Sequence, residues 1–95
     1  MTVADTAITH INKNYTQSNK LSYYAELCNM SESNFRKLFK EYTGKSLIEY
    51  RNNIRILAVQ KMIDSAELSI SEAAYLAGFN NMSFFYKLYH RSTKQ

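Results

Sequence analysis

Apolar and polar residues alternate at helical spacing along most of the chain. The longest such stretch runs from Ser46 to Ser65 and predicts one long helix, because its apolar residues recur three to four positions apart. The apolar positions are Leu47, Tyr50, Ile54, Leu57, Ala58 and Met62, and the residues assigned to another face are Glu49, Arg51, Asn52, Asn53 and Arg55. These twenty residues, at about 1.5 Å each, span roughly 30 Å, so the helix can join two separate units.

Two shorter helices are predicted near the start of the chain. The first runs from Val3 to about Tyr15, with apolar residues at helical spacing, and a polar segment ends it. The second is short, from Tyr23 to Cys28, with Ser22 as its N-cap. The residues expected to face inwards from this second helix are Tyr24, Leu27 and Cys28.

The third predicted helix has two distinct faces. It begins after Ser31, a good N-cap residue, and stops at Gly44. The residues expected to pack are Phe35, Leu38, Phe39 and Tyr42, and those on the opposing face are Ser33, Arg36, Lys37 and Lys40. A short helix, a turn and a second helix with a basic outer face predict a helix-turn-helix, whose second helix can enter the major groove of DNA.

The same layout returns after the long helix. Ser71 is the expected N-cap of a short helix that ends at Gly78, and Asn80 or Asn81 is expected to cap a last helix. The predicted core residues of this half are Ala73, Ala74, Leu76, Ala77, Phe85, Leu88 and Tyr89, and the outer face presents Ser83, Tyr86, Lys87 and His90. Matches such as Ala25 with Ala74 and Ser33 with Ser83 indicate an internal repeat of 49 to 50 residues.

Composition limits the chain to one small domain. Its 95 residues contain no Pro and only two Gly, and 45% are hydrophobic, which favours a compact all-helical fold over disorder. The formal net charge is +4, and between Ser33 and Lys61 seven basic residues are opposed only by Glu41 and Glu49. Such a localised basic excess is typical of proteins that bind polyanions.

The sequence lacks the residues that several other functions require. The single cysteine, Cys28, excludes an internal disulfide and is expected to be an inert core thiol. With His10 and His90 as the only histidines, no zinc site can be assembled, and no catalytic Ser, His and Asp set or carboxylate pair is present. The Gly-Lys-Ser segment at 44–46 lacks the earlier glycine of a phosphate-binding loop. We therefore expect no enzyme, no cofactor and no metal site.

The motifs of both halves resemble the DNA-binding domain of the AraC/XylS family of bacterial transcription regulators. The similar segments are 21–22, 25–27, 31–40 and 43–46 in the first half and Ile70, Ala74, 77–79 and 83–89 in the second, with Arg55, Val59, Met62 and Ile63 in the connecting helix. The chain departs from the family at Lys94, where Gly is common, and we expect the usual closing helix of the family to be missing. The resemblance suggests a C-terminal fragment that lacks a sensing or dimerising domain.

The resemblance also implies roles for individual residues. The implied base contacts come from Ser33, Arg36 and Lys37 in the first unit, with Lys40 on the same face, and from Met82, Ser83, Tyr86 and Lys87 in the second. The implied phosphate contacts fall near Lys45, Ser46 and Arg51, and we add His90 and Arg91 as phosphate candidates.

Each candidate also has a purely structural interpretation. A basic helix face is often only a solvated surface, but its place on the second helix of a repeated helix-turn-helix favours DNA contact. Tyr86 lies next to a core stripe and can pack instead of reading a base, and His90 can contact phosphate or water. Phe79 and Phe84 are expected in the core.

The sequence thus predicts an all-α domain of about seven helices, the last one truncated. Two helix-turn-helix subdomains, 1–45 and 66–95, flank a linker helix at 46–65. We expect a transcription regulator that binds double-stranded DNA through two successive major grooves, with RNA polymerase as a further partner. The alternative is a protein-interaction module that docks an acidic partner such as RNA polymerase. With no signal peptide and no segment of transmembrane length, we expect a cytoplasmic protein without a membrane partner.

Overall fold

The computed structural model describes residues 3–93, and in that range it contains six α-helices and no strand. The helices are α1 (Val3–Lys13), α2 (Leu21–Leu27), α3 (Glu32–Thr43), α4 (Leu47–Ala66), α5 (Ile70–Leu76) and α6 (Met82–Thr93). The all-helical fold is confirmed, and the long linker helix lies where it was predicted. The departure from the family pattern at Lys94 falls outside the described residues. Within residues 3–93, no helix is both long and apolar enough to cross a bilayer.

Two separate hydrophobic cores lie along α4. The first is formed by Ala7, Ile11, Tyr24, Ala25, Phe35, Phe39 and Leu47, from α1 to the start of α4. The second is formed by Ile56, Val59, Ala73, Ala74, Ala77, Phe79 and Phe85, from the later turns of α4 to α6. Because α4 contributes buried residues to both cores, it joins two helix-turn-helix units, α2–α3 and α5–α6, into one body 41 Å long.

Side-chain caps set the start of several helices. Ser31 Oγ accepts a hydrogen bond from Asn34 N at 3.2 Å, as predicted. Asn81 Oδ1 accepts from Phe84 N at 3.0 Å, which decides between Asn80 and Asn81 as the cap of α6. Gly44 takes the left-handed conformation that ends α3.

Two predicted caps are wrong. The helix α2 begins one residue before Ser22, and the residue in its N-cap position, Lys20, makes no side-chain cap bond. The half-buried Leu21 packs on the first core, so packing rather than a cap sets this boundary. The helix α5 is capped by Ser69 instead of Ser71, since Ser69 Oγ accepts from Glu72 N at 3.1 Å.

The predicted faces of α4 are also partly wrong. Leu57 was expected to be buried but is 58% exposed, whereas Arg51, Asn52 and Arg55 were placed on a polar face and are buried. The reason is that α4 packs against two units along its length, so its buried surface is not a single apolar stripe.

Four more predicted core residues are exposed. They are Leu27, Tyr42, Leu76 and Phe84. The short helices α2 and α5 each bury only two adjacent residues, Tyr24 with Ala25 and Ala73 with Ala74, so Leu27 and Leu76 point away at equivalent places in the repeat. Tyr42 lies at the surface, where its hydroxyl donates to Asp5 Oδ1 at 2.9 Å. Phe79 is buried, as expected.

Replacing Gly78 by alanine is expected to lower the free energy of unfolding by about 3 kcal/mol, through steric overlap and backbone strain together. Its φ is +108°, and a Cβ there would lie 2.9 Å from the Cα and carbonyl oxygen of Thr16. Gly44 is the matched control, because its φ is +78° and a Cβ would meet nothing within 4 Å. Gly44→Ala should cost only about 1 kcal/mol. Urea denaturation of both variants measures this, and equal losses would contradict the close approach of Gly78 to Thr16.

Candidate nucleic-acid interface

The helix α3 is anchored by aromatic side chains and presents a polar face to solvent. Phe35 and Phe39 are buried with ring centroids 5.6 Å apart, and the Tyr24 ring stacks on Phe35 at 6.4 Å. This packing fixes the rotation of α3 about its axis. The base-contact candidates of α3 that are consequently exposed are Ser33, Arg36, Lys37 and Lys40.

The helix α6 is held in the same manner through Phe85. This residue is fully buried, with its ring centroid 5.0 Å from that of Phe79. Ser83 and Lys87 are exposed on the outer face, and Met82 is half-buried at the start of the helix. His90 and Arg91 are exposed in the last turn of α6.

The position of Tyr86 is compatible with both interpretations offered for it, packing against the core and contact with a base. Its ring packs against Phe85 at a centroid distance of 5.2 Å, and its hydroxyl lies 3.1 Å from Ser71 Oγ on α5. The side chain nevertheless remains exposed. The contact with Ser71 joins the two helices of the second unit and holds the phenol in one orientation, so Tyr86 can pack and still offer its edge to a ligand.

The start of α4 carries the phosphate candidates Lys45 and Ser46. Ser46 closes a capping box, in which its Oγ accepts from Glu49 N at 3.2 Å and its own amide donates to Glu49 Oε1 at 3.1 Å. The hydrogen bonds from the Ser46 amide and side chain lower the pKa of Glu49. The Ser46 amide is thus occupied, whereas Lys45 is exposed and its ammonium is a suitable phosphate donor.

Arg51 is placed differently from the phosphate contact proposed for it. It is only 8% exposed, and its Nη1 donates to the backbone oxygen of Asn19 at 2.8 Å. This burial and the bond to a backbone carbonyl argue against a direct contact between Arg51 and the DNA backbone in this conformation. We therefore remove Arg51 from the phosphate contacts.

Arg55 is a structural residue whose role the sequence pattern did not reveal. Its Nε donates to Tyr15 O at 2.6 Å, and its Nη2 donates to Gln17 O at 3.1 Å and to Ser18 Oγ at 3.2 Å. Its guanidinium also lies 5.8 Å from the ring centroid of Phe79 in the second core. Burial, followed by the charge of Arg51, lowers the pKa of Arg55. Arg55 thus ties the connection between α1 and α2 to the second unit.

The described part of the chain offers little for metal binding or for thiol chemistry. Residues 3–93 contain no group of three His, Cys, Asp or Glu side chains that can hold a metal ion. Cys28 is half-buried, and burial raises the pKa of its thiol, which disfavours the reactive thiolate.

Comparison with known proteins identifies the family. A family model described as a helix-turn-helix domain matches residues 24–95, most of the chain. The chain belongs to the AraC-type helix-turn-helix family. The predicted family and the predicted helix-turn-helix fold are thus confirmed.

Two curated relatives of this AraC-type chain are bacterial activators. The bifunctional transcriptional activator and DNA repair enzyme AdaA of Bacillus subtilis is 29% identical over 86 residues, which cover 90% of this chain and 41% of AdaA. The virulence regulon transcriptional activator VirF of Yersinia enterocolitica is 33% identical over 79 residues, which cover 83% of this chain and 29% of VirF. The chain therefore spans less than half the length of these relatives.

A solved structure shows the same fold. The DNA-binding domain of the global transcriptional factor AdpA, in complex with a target DNA, superposes with a TM-score of 0.89. The match covers 100% of this chain and 86% of the AdpA domain, at 17% identity. At that identity the likeness supports the fold of the AraC-type domain, and the residues that contact DNA have to be argued from this chain itself.

Proposed function

We propose that the chain binds double-stranded DNA with sequence preference by placing α3 and α6 in two successive major grooves. The observation that carries this proposal is the repeated unit. Two helix-turn-helix motifs, each with a second helix that exposes a polar face, are joined by one 20-residue helix. The second helix of such a motif is the element that reads base edges. The 41 Å length of the molecule suits two grooves one turn, about 34 Å, apart.

Two groups of residues carry the proposed contacts. Those assigned to base edges are Ser33, Arg36, Lys37 and Lys40 on α3 and Met82, Ser83, Tyr86 and Lys87 on α6. Those assigned to phosphates are Lys45, Ser46, His90 and Arg91. Affinity would come mainly from the phosphates, and sequence preference from the base edges.

Alanine substitutions, one in each of the two groups, test these assignments. Arg36→Ala should weaken binding to the preferred duplex by about 1 to 3 kcal/mol and relax the preference at a few base pairs, because arginine pairs with guanine in a bidentate manner. Lys45→Ala should weaken binding to every sequence alike, since a phosphate contact carries no base information. Anisotropy titrations against the preferred duplex and all its single-base variants measure both effects.

The opposite pattern would refute the assignment. If Lys45→Ala changed the preferred sequence and Arg36→Ala left it unaltered, α3 would not be the reading helix. If the domain bound no duplex with a preference, the alternative of a module that docks an acidic protein such as RNA polymerase would be favoured. We assign no catalytic role to any residue of the chain, because its polar residues fit contacts with DNA and helix caps.

A further inference from the structure

A pocket of about 380 Å³ lies beside α3, between the connection that precedes α2 and the first turn of α4. One part of its wall is apolar and formed by Leu21, Leu47 and Ile48. Another part carries positive charge from Lys20, Arg36 and Arg51. Small-molecule sites in proteins have this size and this combination of an apolar wall with a few polar groups.

Arg51 supplies a buried positive charge at this pocket without a negative partner. Its Nη1 donates to Asn19 O at 2.8 Å, while its Nε is buried and has no hydrogen-bond partner. Among residues 3–93 no carboxylate pairs with it, and the neighbouring buried charge, Arg55, is also positive. Burying an unpaired charge and an unsatisfied donor is costly, so an anion that reached Arg51 would relieve an existing cost.

The first turn of α4 favours an anion at the same place. Leu47 and Ile48 are the first two helical residues and line the pocket, and the amides of a first turn have no acceptor within the helix. The positive end of the helix dipole points the same way. The acidic residue nearby in sequence, Glu49, is engaged in the capping box with Ser46 and does not line the pocket.

We propose that this pocket binds a small amphipathic oxyanion. The carboxylate or other oxyanion head lies against Arg51 and Arg36, and the hydrocarbon part covers Leu47 and Ile48. A fully hydrated anion such as inorganic phosphate fits less well, because part of the wall offers no hydrogen bond to replace its water.

Binding at this pocket would also regulate contact with DNA. Arg36 lines the pocket and is one of the residues assigned above to base edges. A ligand that holds its guanidinium removes it from the groove, so ligand and DNA compete. This regulatory part rests on the proposed function, whereas the binding site itself does not.

Calorimetric titration of the chain with 2-naphthoate tests the site without DNA. We expect saturable binding of one molecule per chain, with the neutral 2-naphthalenemethanol and inorganic phosphate each at least about tenfold weaker. Equal binding of the alcohol would show that the arginines do not recognise the anion. Equal binding of phosphate would show that the apolar wall does not contribute, and either result would overturn the proposal.

Two matched variants locate the site. Ile48 and Leu57 are on the same helix and are 59% and 58% exposed, but Ile48 lines this pocket and Leu57 lies in a separate groove with Tyr15 and Met62. Ile48→Trp fills the pocket and should weaken naphthoate binding at least about tenfold, whereas Leu57→Trp should bind as the unaltered chain does. If both variants lost affinity equally, or neither did, the ligand would lie elsewhere and the proposal would be wrong.

A DNA titration in saturating naphthoate tests the competition. Affinity for DNA should fall about tenfold for the unaltered chain and stay constant for Ile48→Trp, each compared with itself without ligand. If naphthoate bound but DNA affinity did not change, the competition would be wrong and the site would stand. If no duplex bound even without ligand, the proposed function would fail, and the calorimetry would still decide the site.

Discussion

Raising the salt concentration from 50 to 200 mM is expected to weaken DNA binding by this domain about a thousandfold, if roughly six phosphates are neutralised. The physical reason is that each neutralised phosphate releases condensed counterions, and added salt lowers the gain from that release. The basic residues needed for this are exposed near both reading helices, namely Arg36, Lys37, Lys40, Lys45, Lys87 and Arg91.

Anisotropy titrations of one duplex at several salt concentrations give the slope of the logarithm of affinity against the logarithm of salt. We expect a slope of about −5, and Lys45→Ala should reduce its magnitude by about one. Lys61→Ala is the control, because this exposed lysine lies on α4, away in sequence from the reading helices, and should leave the slope unchanged. An affinity that does not depend on salt would contradict the electrostatic account.

Elements with local signals could be predicted from the sequence. The long helix was expected at 46–65 and is Leu47–Ala66, because its helical spacing is uninterrupted and the serine before it is a strong cap. Ser31 and Gly44 bound α3 for similar local reasons. The exposed face of α3 followed directly from the buried spacing of Phe35 and Phe39.

Features that depend on tertiary packing could not be read from periodicity. Arg51 and Arg55 look like solvent-facing residues of α4, yet both are buried because the connection between α1 and α2 crosses this face and offers its carbonyls. Leu57 looks like a core residue but lies where neither unit covers α4. The pocket at Arg51 could not be predicted from the sequence either, because segments far apart in the chain form its wall.

The same limit applies to the DNA contacts. The sequence placed Ser33, Arg36 and Lys37 on one exposed face, and the structure has them exposed. Exposure makes a contact possible without showing that it occurs, so the base and phosphate assignments remain predictions. Arg51 is an example: its sequence position suggested a phosphate contact, whereas the structure has its side chain buried.

Changing the spacing between the two half-sites is expected to have the second large effect. The helix α4 is fixed to both units, through Leu47 in the first core and through Ile56 and Val59 in the second. Arg55 adds hydrogen bonds to Tyr15 O and Gln17 O. The two reading helices therefore cannot rotate about α4 without breaking buried contacts, and they should meet the duplex about 10 base pairs apart on one side.

The target should also be asymmetric. The outer face of α3 carries Arg36 and Lys37, whereas that of α6 carries Tyr86 and Lys87, so the two half-sites should prefer different bases. One chain then reads both half-sites in tandem, and neither a palindrome nor a dimer is required.

The affinity of a single chain for a duplex with 5 extra base pairs between the half-sites tests this architecture most directly. The insertion turns one half-site to the opposite side of the duplex, about half a helical turn away. A duplex in which one half-site is scrambled gives the affinity of the other half-site alone. We predict that the spaced duplex binds no more tightly than this control, roughly a hundredfold weaker than the original, since the contacts of one reading helix are lost. If the spaced duplex bound as tightly as the original, α4 would not fix the distance between α3 and α6, and the account would be contradicted.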